Sequence, residues 1–291
     1  MKILPFTLAL LLSSAFLAYA QQPAPKFTTI SVPGALETDA YGIGLFNNVI
    51  VGSYVDQNGT RHGFEMKGTQ VMTVDDPNGT DTVCTGIDSS GGIVGYYTAP
   101  DDNSRGFYFD SETYKDIGPP GAISSVAYGI NQLEEVAGAY QAVPGGAWQG
   151  FFFDGVKYTT INIPGASNTW AYGVGGQGVS VIWLDTNGHY QSSFCGPLLH
   201  CRSINVPGAL NTFAHSVDYV GDIAFGWQDI NNNYHAAVLA GGVFYKFEEP
   251  SGNSTQAFGI NGRDVVGQYL PTGGTTPASF AGKSCPPLCH P

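Results

Sequence analysis

One unit recurs six times along this chain, and that period leaves few folds open to it. Phe27 to Ala35 reads Phe-Thr-Thr-Ile-Ser-Val-Pro-Gly-Ala, returns nearly unchanged at Tyr158 to Ala166, and returns again from Arg202 to Ala209. Weaker copies fill the gaps, so that Pro33, Pro77, Pro120, Pro164, Pro207 and Pro250 follow one another at intervals of 43 or 44 residues. A second landmark follows each proline: Ala40-Tyr-Gly-Ile, Cys84-Thr-Gly-Ile, Ala127-Tyr-Gly-Ile, Ala171-Tyr-Gly-Val, Ala214-His-Ser-Val and Ala257-Phe-Gly-Ile. A third ends on an aromatic at Tyr54, Tyr97, Tyr140, Trp183, Trp227 and Tyr269. A fourth is His62-Gly-Phe, matched by Arg105-Gly-Phe and Gln149-Gly-Phe.

Each unit thus holds four short apolar runs in about 43 residues, the size of a four-stranded propeller blade. Coils of a β-solenoid are shorter, and a pair of β-sandwiches would not repeat six times. The spacing therefore predicts an all-β, six-bladed propeller over 27–283. Its ends fit closure: the first unit begins with an outermost strand, Phe27 to Val32, and the last stops after its third strand, near Phe280. Moving the N-terminal strand into the last blade completes the ring and leaves no lone terminal blade. Small Ala and Gly suit the crowded inner strand, and Tyr, Trp and Phe fill the widening gap further out.

Composition agrees. Only 12% of the 291 residues are charged, 13% are aromatic, and there are 40 Gly and 18 Pro. A helical bundle would need far more Glu, Lys, Leu and Ala. Eleven Lys and Arg against 23 acids give a net charge of −12, the wrong sign for a nucleic-acid binder.

Met1 to Ala20 carries one Lys, an apolar run and Ala18-Tyr-Ala20, the pattern of a signal peptide with a small-x-small cleavage site. The run is short for a membrane span. The expected organisation is a signal peptide over 1–20, a linker over 21–26, the propeller, and a Cys/Pro tail over 284–291. The expected protein is secreted, spans no membrane, binds no nucleic acid and acts as a monomer. Cys195 with Cys201 and Cys285 with Cys289 flank short proline loops and suit disulfides in an oxidising compartment. Cys84 falls in a buried strand. Zinc at Cys285, Cys289 and His290 is an alternative with no adjacent fourth ligand.

The Val-Pro-Gly-Ala, Ala-Tyr-Gly-Ile, Val-Gly-x-Tyr and His-Gly-Phe elements resemble the HAF repeat family of secreted bacterial repeat proteins. The resemblance covers about Phe27 to Gly282. Units four and five depart from it, with Val181 and Phe225 in place of the strand glycine. It implies an exported repeat protein and carries no catalytic residues with it.

Propellers bind ligands in the funnel at one end of the channel, and the loops entering the innermost strand together with those joining the second and third strands are expected to build it. Hydroxyls recur at Thr38, Thr82, Ser125, Thr169, Thr212 and Thr255; Thr38, Thr82, Thr169 and Thr212 are candidate substrate contacts, although such hydroxyls also bond local backbone. Trp170 is a candidate platform for a sugar or other ring, or an interblade packing residue. Asp56, Asp101, Asp102, Asp185, His189, Asp229 and His235 fall on the loops between second and third strands. Asp56-x-Asn-Gly and Asp185-x-Asn-Gly look like half a calcium loop and equally like hairpin turns. After each Gly-Ile stand Gly44, Asp88, Asn131, Gly175, Asp218 and Asn261. Asp88, Asn131, Asp218 and Asn261 would bring two carboxylates and two amides together around a Ca²⁺ ion, or would simply close turns.

His215 replaces the inner-strand Tyr of units one, three and four, three residues before Asp218. Beside a cation it would serve as a general base on water. No Gly-x-Ser-x-Gly, His-Glu-x-x-His or phosphate loop occurs. The main functional expectation is a cation-dependent hydrolase of small lactones or esters, by analogy with the six-bladed gluconolactonase and paraoxonase-like enzymes. The alternatives are a non-catalytic module that binds glycans or proteins in the funnel, and a passive surface or matrix protein.

Overall fold

The computed structural model describes residues 26–44, 48–196 and 199–283. The leader, most of the short linker, the Cys285–Cys289 pair and His290 lie outside the described residues. Blade one is β2 (Glu37–Ile43), β3 (Ile50–Val55), β4 (Arg61–Lys67) and β5 (Gln70–Val74); it follows the short strand β1 (Phe27–Ile30). Blade two is β6 (Thr80–Ile87), β7 (Ile93–Thr98), β8 (Ser104–Phe109) and β9 (Tyr114–Ile117). Blade three is β10 (Ser124–Ile130), β11 (Val136–Gln141), β12 (Gln149–Phe153) and β13 (Tyr158–Ile161). Blade four is β14 (Asn168–Gly175), β15 (Gly178–Leu184), β16 (Tyr190–Cys195) and β17 (Cys201–Ser203). Blade five is β18 (Asn211–Val217), β19 (Ile223–Gln228), β20 (Tyr234–Ala240) and β21 (Val243–Phe247). Blade six is β22 (Gly252–Asn261), β23 (Asp264–Pro271) and β24 (Ala278–Lys283), completed by β1. All six sheets have four antiparallel strands, and β1 pairs with β24 from Phe27–Gly282 to Ile30–Ser279. Among the described residues no helix is long and apolar enough to cross a membrane.

Each letter of the inner-strand motif has its own task. Ala40, Ala127, Ala171, Ala214, Ala257 and Cys84 are wholly buried where neighbouring blades meet. The next residue (Tyr41 in blade one) sits in a bulge, because the register slips between Ala40 and Gly42 and at the same place in every inner strand. The glycine lets adjacent inner strands approach backbone to backbone: a Cβ on Gly129 would lie 2.5 Å from the Tyr172 carbonyl oxygen. The Ile or Val that follows reaches back into the core. Farther out, a Cβ on Gly138 of β11 would meet the Val126 carbonyl at 2.3 Å and the Phe151 ring at 2.4 Å. Glycine there makes room for Phe64, Phe107, Phe151 and Phe280, each fully buried. The two departing blades compensate across the strand pair. Val181 faces Ser193 and Phe225 faces Ala237, so a larger residue on the second strand meets a smaller one on the third.

The seam is fastened by side chains as well. Ser279 Oγ donates to the Thr38 carbonyl at 2.8 Å and accepts from the Ala40 N–H at 2.9 Å. Ser192 makes the same pair of bonds to Thr212 and Ala214 between blades four and five. Cys195 and Cys201 form a disulfide joining the third and fourth strands of blade four, and Cys84 is a buried free thiol.

Candidate functional site

A cavity of about 350 Å³ lies on the propeller axis. It runs from the turns between first and second strands down to a layer built by the bulged inner-strand residues, Tyr41, Thr85, Tyr128, Tyr172, His215 and Phe258. Five of the six are rings in an unbroken arc. Tyr128 stacks on Tyr172 at 4.1 Å, Tyr172 meets His215 edge-on at 5.4 Å, His215 meets Phe258 edge-on at 4.9 Å, and Phe258 reaches Tyr41 at 5.6 Å. Only blade two interrupts the arc, with Thr85. The sequence places a funnel at the end built by the loops entering the inner strand and joining second and third strands; this cavity is framed at the other end by the first-to-second turns that carry Asp88, Asn131, Asp218 and Asn261.

The layer carries no charge. Burial alone pushes His215 from 6.5 down to about 3, so its imidazole is neutral at physiological pH. Its Nε2 is buried without a hydrogen-bond partner, among the faces and edges of Tyr172, Phe213 and Phe258. Burial raises Tyr172 to about 12 and Tyr128 well above its ordinary value, and burial followed by the Asp39 carboxylate raises Tyr41. These groups are therefore neutral phenols that keep surface facing the cavity. As a general base, His215 is poorly matched to water activation near neutral pH, and no carboxylate contributes to its environment.

Asp88, Asn131, Asp218 and Asn261 do line the cavity rim. Their oxygens, however, serve the turns. Asp88 Oδ1 accepts from Ser90 and Gly92 N–H at 2.7 and 2.9 Å. Its Oδ2 lies beside Gly92, without a hydrogen-bond partner. Asn131 Oδ1 accepts from Leu133 and Glu135 N–H, at 2.9 and 3.1 Å. Asp218 Oδ1 accepts from Val220, Gly221 and Asp222 N–H, while Oδ2 takes the Gly262 N–H of the next blade at 3.0 Å. Asn261 Nδ2 donates to the Gly44 carbonyl at 2.7 Å. Calcium needs six to eight oxygens with lone pairs free to face it. Here backbone N–H groups point at Asp88 Oδ1, Asn131 Oδ1 and both Asp218 oxygens, while Asp88 Oδ2 has no hydrogen-bond partner, and among the described residues no three His, Cys, Asp or Glu are grouped to hold a metal.

The hydroxyl ring is also scaffold. Thr38, Thr82, Thr169, Thr212 and Thr255 are buried, and each accepts the backbone N–H six residues upstream: Val32, Asp76, Ile163, Val206 and Glu249. This bond fixes the entry of each inner strand. Ser125 instead accepts from Gly106 N–H. Trp170 lies outside the cavity, in a run of rings with Tyr190 at 6.1 Å and onward to Phe213 at 5.1 Å. On the second-to-third loops, Asp56, Asp185 and Asp229 each accept two N–H groups from their own turn. His62 and His235 occupy equivalent places, each with Nδ1 2.7 Å from the acid just past the outermost strand, Asp75 or Glu248. The sequence reading found His215 and the rim but missed Thr85 and Tyr96. The signal for Thr85 was present in the second landmark, where one unit alone has a small β-branched residue.

No protein-family model matches the chain, and no curated protein sequence does. The HAF resemblance thus rests on its repeat elements alone. Solved structures do match. The SapL1 lectin in complex with alpha methyl fucoside is 15% identical, with a TM-score of 0.55 over 88% of this chain and 98% of that one. The β-propeller domain of the Trilobed protease from Pyrococcus furiosus is 7% identical, with a TM-score of 0.54 over 86% and 82%. TolB from Acinetobacter baumannii is 13% identical, with a TM-score of 0.52 over 85% of this chain and 64% of that one. These likenesses show the fold. This chain spans under two thirds of the TolB protein it matches.

Proposed function

We propose that this protein is a non-catalytic propeller that holds a neutral glycan in its axial cavity, and that it does so outside the cytoplasm, where its leader would send it. The observation that carries this reading is the lining itself. Ring faces and phenol hydroxyls surround a space of about 350 Å³ with no ionised group in the layer. A sugar offers the complementary surface, with C–H faces for rings and hydroxyls for uncharged donors and acceptors. The fucoside-bound SapL1 lectin, built on the same fold, supports the choice of a sugar over a lactone. A hydrolase would need a base tuned near its working pH and an electrophile for the carbonyl. A buried imidazole and turn-bound carboxylates supply neither.

Calorimetry with methyl glycosides of fucose, galactose, glucose and mannose tests the proposal. Binding of at least one is expected, weakened about tenfold by Tyr128→Phe or Tyr172→Phe, each of which removes one hydroxyl and keeps the ring. Turnover of a lactone or ester panel that disappears in His215→Ala would overturn it, as would the absence of any glycoside binding.

A further inference from the structure

The arc of rings has one gap, and the cavity escapes through it. Below the bulged layer each blade has a pair of residues facing each other across the first and second strands. They are Asp39 with Ser53, Val83 with Tyr96, Val126 with Ala139, Trp170 with Ile182, Phe213 with Gly226, and Gln256 with Gln268. Only the blade-two pair, Val83 and Tyr96, lines the axial cavity. The other five pairs are shut off beneath Tyr41, Tyr128, Tyr172, His215 and Phe258. Blade two differs because Thr85 stops short of the axis. Its hydroxyl is committed to the neighbouring backbone, donating to the Ala127 carbonyl at 2.7 Å with the Val94 carbonyl at 3.2 Å. Tyr96, the other polar side chain at this opening, lines it with its ring and phenol, within reach of the Arg61 and Asp39 charges of blade one. Burial raises its pKa, so that it stays a neutral donor. Its neighbours Val83 and Thr85 offer carbon.

We infer that Thr85 is the residue that sets ligand specificity, by opening a side pocket over Val83 and Tyr96 that accepts an apolar ring-sized substituent, such as the aryl aglycone of a glycoside, while the sugar stays on the axis. This rests on the glycan reading above. A tyrosine at this position is already accepted by blades one, three and four, so Thr85→Tyr completes the arc and closes the side pocket with a side chain the architecture tolerates. Thr85→Val removes the hydroxyl bond to Ala127 yet leaves the opening.

The experiment compares methyl and phenyl forms of the same glycosides, α-L-fucoside, β-D-galactoside and β-D-glucoside, by calorimetry on the full-length mature protein. The wild type is expected to prefer the phenyl form by ~10-fold or more, the size of discrimination an apolar pocket gives for added carbon. Thr85→Tyr should lose the preference, read as the ratio of phenyl to methyl affinity within the same variant. Thr85→Val should keep it, which assigns the effect to space and not to the hydroxyl. If the wild type binds both forms equally, or Thr85→Tyr retains the preference, the side pocket is refuted and the glycan reading stands. Failure of every glycoside to bind the wild type overturns both.

Discussion

Replacing His215 with phenylalanine should flatten the acid sensitivity of this fold by an amount that follows from the position of that one ring. In the native protein the imidazole is held near 3, against 6.5 when exposed. Between those values the unfolded chain carries a proton that the folded chain refuses, so stability falls as pH falls. Each unit of separation is worth about 1.4 kcal/mol, which makes the whole effect about 5 kcal/mol. From pH 7 to pH 4.5 the share is about half of that, roughly 2–3 kcal/mol. Phenylalanine is a fair replacement, because Phe258 holds the equivalent place in blade six. Carboxyls with raised values oppose this trend: burial lifts Asp218, Asp76 and Glu248, and each takes up its proton more readily folded than unfolded. Those groups are common to both proteins and cancel in the difference. Urea unfolding at pH 7, 6, 5.25 and 4.5 measures it. The wild type should lose roughly 2–3 kcal/mol more than His215→Phe across that range. Parallel pH profiles would refute the claim that this imidazole is uncharged and unpaired inside the ring.

Three further expectations concern the scaffold, each read by urea midpoints. Ala237→Phe alone overpacks blade five against Phe225 and should cost about 2 kcal/mol, and adding Phe225→Gly, which restores the pairing of the other blades, should recover most of it. Ser279→Ala leaves the Ala40 N–H and Thr38 carbonyl of the seam unpaired and should cost about 2 kcal/mol; the same change at Ser192 should act similarly between blades four and five. Arg61→Ala strips the nearly buried Asp39 carboxylate of its 2.9 Å partner and should cost about 3 kcal/mol, more than Arg61→Ala combined with Asp39→Asn.

The period of the landmarks made the ring legible, because a blade cannot bury its faces without neighbours and the count of copies is the count of blades. Velcro closure was legible from the order of strands at the two ends. The task of each motif letter was partly legible: a small residue then an aromatic then glycine reads as a crowded inner strand. What the inner glycine avoids, a carbonyl of the adjacent blade, is a tertiary contact that no single strand reveals. The exchange of bulk between Val181 and Ser193, or Phe225 and Ala237, looked like loss of pattern in one strand because its partner lies about a dozen residues away. The candidate site was harder. Asp and Asn before a turn read the same whether they hold a cation or an N–H, and the bonds they accept from Ser90 and Val220 are seen only in the folded turn. Thr85 is easily passed over because one small residue within the second landmark reads as ordinary variation between copies.

The seam also sets the order in which this protein can come into being. The bond from Ser279 to Thr38 joins residues 241 positions apart, and β1 has no partner until β24 exists. During synthesis five blades can assemble locally as each hairpin emerges, while the first strand waits as a loose end with its edge unsatisfied. Cooperativity therefore arrives with the last few dozen residues. A chain halted before β24 is an open arc with two raw flanks, prone to join a second copy through the very edges that the finished circle hides.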